Sequence, residues 1–244
     1  MTGQTDGSLA VLITLLVASV PANCQCLAHP LTVAPAAIDV RATSVLEALV
    51  EFGQTNSVCF GIEITDGRLA ATGVDWHQAA PLRDLLASAL SHVDGYRFGV
   101  RDHIVSISPA RAGVPTWLDV KIPEFSAKHR ADVQSINNLL FMDLVIVENP
   151  HHGGFAGDYL GADPQDQIGP LDERDLSVRS LLDLIVASSK GGIWITAGRY
   201  ERSRVLSNQP FWRVLEYSQP LPTNLGRMAG VVREIQSAFG SPKP

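Results

Sequence analysis

Residues 38–64 read IDVRATSVLEALVEFGQTNSVCFGIEI, and the succession of patterns in this stretch decides the fold class. Ile38 to Arg41 is a short strand candidate. Ser44, with Glu47 three residues on, forms a capping-box signature: the hydroxyl accepts from a free first-turn amide while the carboxylate reaches back. Val45, Ala48, Leu49 and Phe52 then fall at helical spacing. Val58 to Ile64 returns to a strand, and Asp66-Gly67 is a turn.

The same rhythm continues outward. Gly73 to Trp76 predicts a strand, Leu82, Leu85, Leu86 and Ala89 a helix, and Tyr96–Val100 with His103–Ser108 a hairpin about Arg101-Asp102. Residues 36–109 are thus expected to be a βαββαββ module. Pro109 to Pro115 is aperiodic and rich in Pro, Gly and Ala, as in a linker. A second, diverged module is expected over 116–218. Leu118, Val120 and Ile122 alternate as in a half-buried strand. Ser126 is positioned to cap a helix carrying Val133, Ile136, Leu140 and Leu144. A polar insertion occupies 148–170. A helix on Val178, Leu181, Leu182 and Ile185 follows, then strands at Gly192–Ala197 and Phe211–Tyr217. The tail, 219–244, has one more stripe: Leu225, Met228, Val232, Ile235 and Phe239. The expected class is α+β, two small βαββαββ-like modules in tandem plus a C-terminal helix.

The 244-residue chain carries 19 basic against 25 acidic side chains, a net charge of −6, so it lacks the electrostatic footprint of a nucleic-acid binder. Residues 1–28 hold no Lys or Arg but contain the apolar run Leu9–Val20. Twelve residues are too few for a membrane span, which needs about 20, and they match the apolar region of a signal peptide. Residues 1–28 are therefore expected to be a leader, and the mature chain to be periplasmic or secreted with no transmembrane span. The n-region, with Asp6 as its only charged side chain, is atypical. Small residues place processing after Ala22 or after Ala28. The first cut keeps Cys24, Cys26 and Cys59, which permits one disulfide in an oxidising compartment; the second keeps only Cys59.

Residues 38–108 resemble the short N-terminal domain shared by secretins and signalling TonB-dependent receptors. Val45-Leu-Glu-Ala-Leu, Gly73-Val74, Leu82-Arg-Asp-Leu-Leu, Tyr96-Arg-Phe and Ile104-Val-Ser-Ile carry the likeness; 117–217 is a weaker second copy. The resemblance implies a periplasmic, non-catalytic α/β interaction module. It brings no gate or β-barrel, because the rest of the chain lacks the series of ~10-residue amphipathic strands that a barrel needs.

Short strands leave sheet edges open, and an open edge accepts another strand through its unpaired backbone groups. The expected function is protein–protein interaction or assembly in the bacterial cell envelope, with an envelope partner bound by strand addition or through self-association. The candidate edge residues are Ile104, Ser106 and Ile107, and Arg213, Leu215 and Tyr217. No cofactor and no catalytic residue is expected: Gly-x-Ser-x-Gly, Ser-x-x-Lys, phosphate-loop and dinucleotide motifs are absent. Cys59 lies in an apolar strand, the setting of a core residue rather than a nucleophile.

The alternative is a metal-binding protein or enzyme using loop 149–170, where His151, His152 and Asp158 are the candidate ligands. Adjacent histidines on a strand point to opposite sides, which argues against it. His129, Arg130 and Asp132 form a charged helix start. Arg199, Arg202 and Arg204 with Tyr200 form a small basic patch.

Overall fold

The computed structural model describes residues 26–35, 38–110, 117–148, 167–189, 191–197, 211–217 and 220–239. The fold is α+β, with a long C-terminal helix. Strand β1 (Val40–Ala42) leads into helix α1 (Val45–Asn56), strand β2 (Phe60–Ile64) and a single-turn helix α2 (Arg68–Ala71). Strand β3 (Val74–Trp76), helix α3 (Leu82–Ser91) and the hairpin β4 (Tyr96–Arg101) and β5 (Ile104–Pro109) follow. The remainder comprises β6 (Lys121–Ala127), β7 (Ala131–Asp132), α4 (Val133–Glu148), β8 (Gln167–Ile168), β9 (Leu171–Ser177), α5 (Val178–Ser188), β10 (Gly192–Ala197), β11 (Phe211–Glu216) and α6 (Leu221–Phe239).

The local reasons match the sequence in α1. Ser44 Oγ accepts from Glu47 N at 3.2 Å, and the Glu47 carboxylate accepts from Thr43 N at 3.1 Å. The helix stops where Ser57 turns left-handed at φ 55°.

One mixed sheet organises the molecule, in the order β11-β10-β2-β5-β4. β10, β2 and β5 run parallel, and each outer strand is antiparallel to its neighbour. Strands from both expected modules therefore share this sheet, with Ile195 of β10 beside Ile62 of β2. Every residue of β2 and β10 is buried, the property of strands covered on both faces. Alternation splits their side chains between two cores. Phe60, Ile62, Ile64, Ile193 and Ile195 join α1, α3 and α6 in the first core. Cys59, Ile104 and Trp194 join α4, α5, β6 and β9 in the second. Gly61 pairs with Trp194, and a Cβ at residue 61 would run into the indole ring.

Three local expectations are corrected. The hairpin turns at Asp102-His103, not Arg101-Asp102: φ is 47° and 68°, and both central residues of a type I′ turn are positive. Trp117–Asp119 is a 3-10 turn and the strand begins at Lys121. Trp117 and Leu118 are both buried, and a turn sends both neighbours into one core where a strand would separate them. Ser126 lies in β6, paired with Asp172, and caps nothing. Asp132 caps α4 instead, accepting from Ser135 N at 2.7 Å.

The tail helix α6 packs on the first core through Met228, Val231, Val232 and Ile235. Asn224 fastens its first turn, donating to Gln54 Oε1 at 3.0 Å and Glu216 O at 2.8 Å. Gln236 donates to Ala70 O at 3.0 Å.

Candidate functional site

β5 is not an edge. It lies between β2 and β4, so its ladder is occupied on both sides. Ile104 is buried in the second core, Ile107 in the first, and Ser106 is half-buried. The pattern Ile104-Val105-Ser106-Ile107 gives the reason: two adjacent apolar residues, buried on opposite faces, need cover above and below. The edge of the hairpin is β4.

The register tells which β4 groups are free. In a two-residue hairpin the closing pair is hydrogen-bonded, and such pairs alternate with non-bonded ones. Arg101↔Ile104, Gly99↔Ser106 and Arg97↔Ser108 therefore exchange bonds, while Tyr96, Phe98 and Val100 turn their N–H and C=O groups outward. Among the described residues no strand pairs with that outer side. Val100 is 45% exposed, unusual for a large apolar side chain here, and Arg97 is exposed. A side chain added at Gly99 would meet nothing within 4 Å.

β11 is the other outer strand of the sheet, but its candidate side chains are engaged within the chain. Arg213 pairs with Glu234 at 3.2 Å, and Leu215 is buried in the first core. Tyr217, just beyond the strand, donates its hydroxyl to Val58 O at 2.8 Å, and burial pushes its phenol up.

A buried charge cluster fastens the hairpin end of β4. Arg101 Nε donates to Asp183 Oδ2 at 2.6 Å, and Trp194 Nε1 donates to Asp183 Oδ1 at 2.7 Å. One helical turn earlier, Arg179 pairs with Glu63, and with Asp119 at 2.9 Å. Burial pushes the Asp183 carboxyl up, opposed by Arg101 and the Trp194 N–H. It pulls the Arg179 guanidinium down, opposed by Asp183. Through these contacts the cluster ties β4, β2 and β10 to α5.

A second cluster lies on the surface. His77 Nδ1 is 3.0 Å from Asp39, its Nε2 contacts Asp75, and Arg41 is 3.7 Å from Asp75. Asp39, Arg41 and His77, with Ile38 and Glu51, line an open depression. Burial first, then Asp39, pushes the Glu51 carboxyl up. Exposed pairs of this kind contribute roughly 0–1 kcal/mol.

Asp143 on α4 is a partly exposed carboxylate pushed up to about 6 by burial. Its folded value exceeds its unfolded one, so its own contribution to stability is fully present below about pH 4 and is lost as pH rises towards 6. Asp143→Asn is expected to remove that slope and stabilise the protein at pH 7 by about 1 kcal/mol, discounted for solvent screening. Thermal melts of both proteins from pH 4 to 7.5 check this.

His151, His152 and Asp158, and the patch Arg199, Tyr200, Arg202 and Arg204, lie outside the described residues. Among those described, no group of three or more His, Cys, Asp or Glu side chains is placed to hold a metal ion. His129 and Arg130 precede β7 rather than opening a helix, and Asp132 serves α4 as its cap. Trp76, Trp117 and Trp194 are buried. No described helix is long and apolar enough to cross a membrane. No family model, curated protein or solved structure matches the chain.

Proposed function

We propose that this chain is an exported, non-catalytic interaction module of the bacterial cell envelope, which binds an extended segment of a partner protein along β4. The observation that carries the reading is the open β4 edge, with the backbone groups of Tyr96, Phe98 and Val100 turned outward beside an exposed Val100. Strand addition draws affinity from such backbone groups and specificity from alternate side chains. The Cys26–Cys59 disulfide suits an oxidising compartment, in keeping with the expected leader and with the likeness of 38–108 to secretin and TonB-receptor short domains.

The partner strand is expected to carry acidic side chains opposite Arg97.

The test is Val100→Pro. Its amide faces outward, so proline costs the fold little on an edge strand yet removes a donor from the docking ladder. A photo-crosslinker at Arg97 is expected to capture a defined segment of an envelope protein. Val100→Pro is expected to reduce that capture at least about tenfold while the melting temperature stays within a few degrees. Capture unaffected by the proline, or none in envelope preparations, contradicts the proposal; a homodimer crosslink replaces the partner with a second copy.

A further inference from the structure

Residues 26–35 are built into the fold. Cys26 is bonded to Cys59, which is 1% exposed in the second core. Leu27 N donates to Ser57 O at 3.4 Å, and the Ala28 carbonyl lies 3.3 Å from Nδ1 of His103 in the β4–β5 turn. Pro30 is buried. Val33 O then accepts from Leu82 N at 2.9 Å, at the first residue of α3. This strap touches the start of β2, the docking hairpin and α3 in turn.

A cut after Ala28 would discard Cys26 and Leu27, strand the Cys59 sulfur as a buried lone thiol, and free the end of the strap beside the hairpin. We infer that residues 26–35 are a retained strap of the mature protein, and that processing occurs upstream of Cys26, at the Ala22–Asn23 bond rather than after Ala28. The inference rests on the export reading. A signal peptidase adds water across that amide, leaving the carboxyl group of Ala22 on the leader and a free amine on Asn23. The thiols of Cys26 and Cys59 then lose two electrons and two protons to a disulfide-bearing thiol oxidoreductase, whose own disulfide becomes a dithiol.

The full chain, leader included, is expressed in a bacterium with an oxidising periplasm and fractionated. Intact mass is measured after denaturing alkylation, with and without prior reduction. The expected product is periplasmic and begins at Asn23. It takes one alkyl group before reduction, on Cys24, and three after it. Ala22→Arg, which blocks the first site, is expected to accumulate precursor; Ala28→Arg is expected to leave processing unchanged. A periplasmic product beginning at His29 overturns the inference and leaves the export reading standing. A product beginning at Asn23 with three free thiols overturns the strap. An uncut cytoplasmic chain overturns the export reading itself.

Discussion

Replacing Asp183 by alanine is expected to lower the unfolding free energy by about 2–4 kcal/mol, because it orphans a buried indole N–H and strips the countercharge from Arg101, whose side chain is 33% exposed and rehydrates in part. The carboxylate is 3% exposed and serves two donors, Arg101 and Trp194, across 2.6 and 2.7 Å. Its loss leaves the indole N–H without its partner in the second core and the Arg101 guanidinium without its countercharge. Asp183→Asn keeps an acceptor for Trp194 but loses the charge, and is expected to cost less, about 1.5–3 kcal/mol. Urea unfolding at pH 7 measures both. Arg97→Ala, on the same strand but exposed, is the control and is expected to stay within about 0.5 kcal/mol of wild type. A loss below about 1 kcal/mol for Asp183→Ala would mean that the cluster does not fasten β4 to the body of the molecule.

Opening the Cys26–Cys59 bond should have an effect of similar size. The cysteines are 33 residues apart, and closing a loop of that length removes enough unfolded-state entropy to stabilise the fold by about 3–4 kcal/mol. A Cys26→Ala/Cys59→Ala double variant, or reduction of the wild type, is expected to lower the melting temperature by about 10 °C. The double variant should then be insensitive to reductant. The consequence reaches the hairpin, because the strap passes His103 in the β4–β5 turn. An equal melting temperature with and without reductant would separate the strap from stability.

How much of this was legible follows from where each residue's partners lie. The helices α1, α3 and α5 were readable because each buries one stripe, and a stripe is written into local spacing. Strands β2 and β10 were readable as strands but not as neighbours. Each is buried on both faces, so neither shows the alternation that would reveal what covers it, and their pairing joins Phe60 to Ile193. That is why strands expected in two tandem modules occupy one sheet. Placing Ile104, Ser106 and Ile107 on an edge came from treating the hairpin as the end of a module. The adjacent apolar pair Ile104-Val105 was the available sign that this strand lies inside.

Asp183 is hard to read from the sequence for a different reason. It follows Leu182 in a helix whose stripe is otherwise apolar, where a carboxylate reads as solvent-facing. Two signals pointed to it: Arg179 four residues earlier on the same helix, and Trp194, whose N–H needs an acceptor once buried. The distant partner Arg101 left no trace in local sequence. Asp39, Asp75 and His77 came together for a similar reason, since the pairing of β1 with β3 sets Arg41 against Asp75.

The docking edge is tested most directly by amide hydrogen exchange at Tyr96, Phe98 and Val100, measured by NMR on the mature protein alone and bound to the segment captured at Arg97. Rapid exchange is expected at all three in the free protein, beside slow exchange at Arg97, Gly99 and Arg101, with the first three becoming protected in the complex. Protection of Phe98 and Val100 in the free monomer, or rapid exchange that persists in the complex, would contradict it.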